Sequence, residues 1–287
     1  MTEAMQQAAL GAPSRPSFPE GTPLLEVCHA SCGYSPGRPV IKGVSFTVEP
    51  GEVVCVLGAN GIGKTTLFKS ILGYLPLLGG AVRIHGKDIG KVSRAEMARA
   101  VGYVPQAHVP PFPFTVGDVV TMGRTAHLSL FAAPSRKDEA IAFDALEKLG
   151  IGGLFERPYT EISGGERQLV LIARALAQEA SMLVMDEPVA NLDFGNQVRI
   201  LEGIGDLAAS GLAVFMTTHF PDHALQASTK CIIIESVDTF TIGKAEAVIT
   251  PGLLKRIYNI DAEVTTVQTA AGPVRVCLPL MRKGRVL

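Results

Sequence analysis

The sequence of 287 residues contains no tryptophan, only 6% aromatic side chains, and no excess of either charge, with 26 Lys+Arg against 27 Asp+Glu. That balance excludes a surface that is basic throughout, so nothing in it favours binding a nucleic-acid polyanion. No apolar run reaches the roughly 18 residues of a membrane span. The N-terminal stretch MTEAMQQAALGAPSRPSFPEGTP has no basic region followed by an apolar one, which argues against a secretory signal. The chain is therefore expected to stay inside the cell and to meet a membrane only through a partner. Residues 1–22 read as a loose, Ala/Pro/Ser-rich tail. Cysteine is scarce and odd in number: Cys28, Cys32, Cys55, Cys231 and Cys277. Free thiols in a reducing compartment are the expectation. Cys28, His29 and Cys32 have the look of half a metal site, but the second ligand cluster that zinc requires is missing.

What is present is apolar material, 47% of residues, enough for a large core. LLEVCHASCGYS and VIKGVSFTVEPGEVVCVLG read as short strands, and VSFTVEPGE as a hairpin turning at Pro50-Gly51. Glu52 to Leu57 suits a buried parallel strand. Leu67, Phe68, Ile71 and Leu72 share a helical face after it. Lys137 to Leu149 is amphipathic, with Ile141, Ala145, Leu146 and Leu149 inward and Gly150 at the C-cap. ERQLVLIARALAQ and VRILEGIGDLAASG read as helices, and SMLVMD, LAVFMTTH and CIIIES as strands. This alternation predicts an α/β fold with a largely parallel sheet, and a helical insertion from about 107 to 165. No internal repeat is visible, so there is one such unit.

Between the first buried strand and its helix lies GANGIGKTT. Gly58-x-x-x-x-Gly63-Lys64-Thr65 matches the P-loop pattern, with Asn60, Gly61 and Thr66 in the same loop. Glycines let the backbone approach a phosphate, and successive N–H groups plus a helix N-terminus make an anion nest. Lys64 is expected on the β/γ-phosphates and the Thr65 hydroxyl on Mg²⁺. Asp186 and Glu187 end SMLVMD at the carboxyl edge of a predicted parallel strand, where ligands bind. Asp186 suits a Mg²⁺ ligand, and Glu187 a group that orients or deprotonates water. His219 and His223 have the spacing of a zinc pair, but Pro221 intervenes and the general-base glutamate of that motif is missing. A second anion-binding helix start, ISGGERQ from Ile162 to Gln168, is more than one nucleotide needs.

With ISGGERQ the chain resembles the ATP-binding cassette (ABC) ATPases, whose signature loop is Leu-Ser-Gly-Gly-Gln/Glu; Ile162 stands for the leucine. The resemblance spans about residues 24–265 and is carried by further motifs in order: Tyr34 in CGYSPGRP, similar to the aromatic that stacks on adenine; Gln106 in YVPQ, similar to the Q-loop glutamine that acts in catalysis and on Mg²⁺; ANLD ending in Asp193, similar to the D-loop; and His219 in TTHFPDH, similar to the switch histidine. Thr65 replaces the commoner serine, and Val189 a threonine. The resemblance implies a P-loop NTPase (RecA-like) core with an antiparallel β subdomain over 23–106 and 166–287, and a helical signature subdomain over 107–165. It implies ATP and Mg²⁺ as cofactors, catalysis by Glu187, His219, Lys64 and Gln106, and a head-to-tail homodimer. In that dimer Ser163, Gly164 and Gly165 of one subunit meet the γ-phosphate held by the other.

Within the family, PFPFTVGDVVTMGRTAHLSLF resembles the ATPase subunits of importers for iron–siderophore, haem and cobalamin. ANLDFGNQ and TTHFPDHA are similar to the branch that includes molybdate/tungstate importers. That implies a peripheral subunit on the cytoplasmic face of the membrane, beneath a permease dimer fed by a periplasmic or extracellular substrate-binding protein. Two alternatives stand beside it. A soluble, non-transport ABC ATPase would have the same nucleotide chemistry; a small P-loop kinase would need neither ISGGERQ nor His219.

Overall fold

The computed structural model describes residues 22–105, 114–129, 132–270 and 272–281. Two sheets carry the fold. β1 (Leu25–Cys32), β2 (Ile41–Val48), β4 (Gly79–Ile84) and β5 (Lys87–Asp88) form an antiparallel sheet in the order β2-β1-β4-β5. β3 (Val53–Leu57), β6 (Val101–Val104), β7 (Met182–Met185), β8 (Ala213–Thr218), β9 (Lys230–Ile234) and β10 (Phe240–Gly243) form the central sheet, ordered β10-β9-β3-β8-β7-β6. All neighbours in it are parallel except β10, which runs antiparallel to β9 at the edge.

The apolar run of β3 is buried at every position, as a parallel strand covered on both faces must be. Its side chains alternate between two cores. Val53, Cys55 and Leu57 join the core beneath α3 (Val116–Thr121), α4 (Arg136–Lys148), α5 (Gly164–Ala177) and α6 (Phe194–Ala209). Val54 and Val56 join a second core with α1 (Lys64–Ile71) and the antiparallel sheet. There Phe215 of β8 sits 4.7 Å from Phe68 and 5.4 Å from Phe46, centroid to centroid, tying the two sheets together. Truncating such a ring to alanine costs about 3–5 kcal/mol.

The hairpin expected for VSFTVEPGE does not form. The chain does turn at Pro50-Gly51, with Gly51 at φ 70°, and Glu52 N–H donates to Glu49 O at 3.2 Å. But β2 pairs with β1 in one sheet, and β3 lies between β8 and β9 in the other. The physical reason is burial: β2 has exposed positions among its buried ones, whereas β3 has none and takes parallel neighbours on both sides.

α4 starts at Arg136 and ends at Lys148, close to the expected span, with Ala145 and Leu146 buried and Gly150 at φ 69° just past its end. Ile141 and Leu149 are partly buried against the same core. Capping boxes start α2 (Arg94–Ala100; Ser93 with Glu96), α3 (Thr115 with Asp118), α4 (Ser135 with Asp138) and α5 (Ser163 with Glu166). After α3 a 3-10 segment, Met122–His127, carries the buried Arg124. Its guanidinium donates to Asp138 Oδ1 (3.0 Å), Ala177 O (2.7 Å) and Glu179 Oε2 (2.6 Å), fastening α4 to the end of α5. Beyond β8 come α7 (Pro221–Ala227), α8 (Ala245–Val248), α9 (Pro251–Tyr258) and a hairpin of β11 (Ala262–Thr269) and β12 (Gly272–Pro279). The hairpin is held to α7 by Cys277 N–H donating to Asp222 Oδ1 at 2.8 Å. Among the described residues no helix is long and apolar enough to cross a membrane, and the five cysteines are free.

Candidate active site

The carboxyl ends of β3, β7 and β8 bring several of the predicted residues to one cleft. Asn60, Gly61, Gly63, Lys64, Thr65, Thr66 and Glu187 line an open cavity of about 160 Å³. The loop needs its glycines for geometric reasons. Gly61 and Gly63 have φ of 80° and 115°. A Cβ at Gly63 would lie 2.6 Å from Val40 Cγ1, and one at Gly58 2.9 Å from Ile62 Cγ2. Gly63 caps α1 with no side-chain hydrogen bond, so the first N–H groups of the helix keep their donors for an anion.

Lys64 is buried, and its Nζ donates to Gly58 O (2.8 Å) and Ala59 O (3.3 Å), with Glu187 Oε1 at 3.6 Å. Burial pulls its pKa down, and the charge of Glu187 opposes that shift. The Thr65 hydroxyl donates to Asp186 Oδ2 at 3.1 Å. Thr217, at the end of β8, donates its hydroxyl to Asp186 Oδ1 (2.8 Å) and accepts the Glu187 N–H (2.9 Å). Glu187 takes a left-handed backbone, φ 48°. His219 Nδ1 stands 3.3 Å from Glu187 Oε2, yet the buried nitrogen has no hydrogen-bond partner. The Tyr258 hydroxyl, on α9, donates to the main-chain oxygen of His219 at 2.7 Å.

For Mg²⁺ the donor set fits: a threonine hydroxyl and a carboxylate within 3.1 Å of each other are hard oxygen ligands, which this ion prefers. Bound there, the ion would neutralise charge on phosphate oxygens.

Not every predicted residue joins the cleft. Tyr34 is 64% exposed and does not line it, although its loop returns to Val40, packed on Gly63. Ser163, Gly164 and Gly165 open α5 away from the cleft lining. The Ser163 hydroxyl accepts the Glu166 N–H at 3.3 Å, and Glu166 accepts the Ser163 N–H at 2.7 Å. Gly165 is pressed on Asn196, whose side chain donates to Asp193 Oδ2 at 2.6 Å. Gln106 lies outside the described residues. Sequence reasoning missed Thr217, Asn196 and Tyr258. Only Thr217 left a trace, one of two hydroxyls that end an otherwise apolar strand next to the acidic one.

The ABC transporter family model matches residues 41–190, more than half of the chain and including the P-loop, signature and acidic motifs. The chain belongs to the ABC transporter family. Its ABC domain binds ATP. It is 42% identical over 241 residues to an uncharacterized ABC transporter ATP-binding protein of Haemophilus influenzae, covering 84% of this chain and 91% of that one. It is 35% identical to the molybdate import ATP-binding protein MolC of the same organism, over 77% of this chain and 82% of that one. Among solved structures it is similar to a metal-chelate type ABC transporter in an inward-facing conformation. There the TM-score is 0.81, with 30% identity, over 91% of this chain and 98% of that one.

Proposed function

We propose that this ABC protein is the ATP-hydrolysing subunit of an importer for a metal-containing compound: an iron–siderophore, haem, cobalamin or molybdate/tungstate. The observation that carries the hydrolytic reading is the cluster of Lys64, Thr65, Asp186, Glu187 and His219 at the ends of three parallel strands, held by direct contacts. Lys64 and the first N–H groups of α1 hold the β- and γ-phosphates. Glu187 accepts a proton from a water that attacks the γ-phosphorus as the bond to the leaving ADP oxygen breaks. His219 steadies the charge on the γ-phosphoryl oxygens. Tyr34 stacks on the adenine; Gln106 would help to hold Mg²⁺.

The separation of Ser163, Gly164 and Gly165 from the cleft supports a head-to-tail homodimer in which each signature end closes the partner's site. Asp193 sits at the same seam. Residues 107–165 form the helical subdomain that receives a membrane permease; residues 23–106 and 166–287 form the nucleotide core. The import reading draws on the similarity to the molybdate import subunit and to the metal-chelate type transporter. A substrate-binding protein would deliver the compound to the permease, so the cargo never touches this chain.

The test uses Glu187→Gln, tagged, extracted from native membranes in mild detergent with ATP, with co-purifying proteins identified by mass spectrometry. A polytopic permease is the expected result. Recovery without any membrane partner would overturn the import reading in favour of a soluble ABC ATPase.

A further inference from the structure

We infer that Thr217 is a positioning residue of the hydrolytic site, a single buried hydroxyl that sets Asp186 and Glu187 relative to one another. The inference rests on the hydrolytic reading proposed above and adds to it a residue outside the predicted set. β8 reads AVFMTT and is buried at all six positions. Thr217 is fully buried, paired in register with Val56 of β3, where valine would satisfy the packing alone. A buried hydroxyl is costly unless it is hydrogen-bonded. Here both of its capacities are used, and both on the acidic pair: it donates to Asp186 Oδ1 at 2.8 Å and accepts the Glu187 N–H at 2.9 Å.

The two bonds do different things. The first occupies one Asp186 oxygen and leaves Oδ2 turned to the Thr65 hydroxyl at 3.1 Å, the pair that suits Mg²⁺. The second fixes the main chain where Glu187 has φ 48°, a region that residues with a Cβ seldom enter. That backbone directs the Glu187 carboxylate between Lys64 (3.6 Å) and His219 (3.3 Å). Without the bond the residue relaxes toward an ordinary conformation, and the carboxylate loses its aim at the attacking water. Thr217 touches no substrate atom; it acts through its two neighbours.

The experiment compares Thr217→Val, which fills the same space without the hydroxyl, with Thr217→Ser, which keeps it. Thr217→Cys serves as a second hydroxyl-free variant should valine not fold. Turnover and KM are measured with Mg-ATP. Affinity for a fluorescent, non-hydrolysable ATP analogue is measured with Mg²⁺ and with chelator. For valine the expected result is a kcat lower by about 10- to 100-fold with KM within about threefold, and a loss confined to the Mg²⁺-dependent part of analogue affinity. Serine should restore most of both. A hydroxyl-free variant that turns over within about twofold of the parent, or a serine variant as impaired as valine at equal melting temperature, would overturn the inference. If the parent binds Mg-nucleotide without turning it over, the hydrolytic reading falls, while the affinity comparison still decides the role of Thr217.

Discussion

His219 and Glu187 face each other at 3.3 Å, Nδ1 to Oε2, and that imidazole nitrogen has no hydrogen-bond partner. On the other side Glu187 lies 3.6 Å from Lys64. The carboxylate is thus flanked by the P-loop lysine and a histidine ring nitrogen that has no hydrogen-bond partner. Under the proposed hydrolytic function, a water or phosphoryl oxygen would complete the pair. Glu187→Gln keeps the shape and removes the proposed base. Turnover should fall by at least about 100-fold while nucleotide binding persists; steady-state phosphate release and equilibrium binding check the two halves. Loss of binding in parallel with turnover would mean that Glu187 serves the lysine and not the water.

Ser163 and Gly164 are exposed at the start of α5 and Gly165 is buried behind them, and none of the three lines the cleft of their own chain. Shifting a dimer from 1:99 closed to 99:1 takes about 5.5 kcal/mol, or roughly 2.7 kcal/mol from each of two ATP molecules. Charge-assisted bonds from one hydroxyl and two amides are of that size. Ser163→Arg puts a bulky cation at the proposed γ-phosphate contact and removes the hydroxyl of the capping box. In a Glu187→Gln background, ATP should then fail to raise the dimer fraction in light scattering. An unchanged dimer fraction would remove the signature end from the interface.

Gly165 is held against Asn196, and a Cβ there would lie 2.4 Å from Asn196 Cγ. Asn196 in turn bonds Asp193, at the start of α6. Gly165→Ala should therefore push on the Asp193 cap as well as on its own helix, lowering both the melting temperature and ATP-driven dimerisation. Asn196→Ala opens the space, so the double variant should regain part of the stability that the single one loses, as coupled neighbours do. Simple additivity of the two changes would show that the contact carries no strain.

Much of this was legible from chain order. The P-loop announces itself through glycines that only a close backbone approach requires, and Asp186-Glu187 through charge at the end of an apolar run. The buried strands were recognisable because a parallel strand covered on both faces has no polar side. Partner choice was not recognisable in the same way. β2 and β3 are joined by a tight turn yet belong to different sheets, since pairing depends on which faces remain uncovered once the whole chain is assembled. Thr217, Asn196 and Tyr258 were hidden for a related reason: each acts on a partner at least 30 residues away or across a helix packing, and no local pattern records that. The GR…H pattern that resembled the importer subunits has a structural basis. Gly123 passes so close to Arg174 that a Cβ would collide with its main-chain oxygen, Arg124 binds two carboxylates, and a ring nitrogen of His127 meets Gln178 O at 2.8 Å.

That Arg124 cluster sets an acid limit on stability. The hydrogen bond from the Ser135 hydroxyl, with the N–H of Ser135 and the Arg124 guanidinium, lowers the Asp138 pKa to about 2. An unfolded aspartate titrates near 4. The folded state therefore binds the proton less readily than the unfolded one, so this stabilisation is complete above about pH 4 and is lost as pH falls toward 2. Arg124→Met removes the cation and leaves Asp138 and Glu179 facing a site without a positive charge. The cost should be about 3–5 kcal/mol at neutral pH, read from the midpoint of urea unfolding. Adding Asp138→Asn should recover part of it, because the neutral amide no longer needs the guanidinium. It should also flatten the pH dependence between about 4 and 2, since the titrating group is gone. A Met variant as stable as the parent at neutral pH would mean that solvent reaches these carboxylates freely, and that Arg124 is not the fastener between α4 and the end of α5.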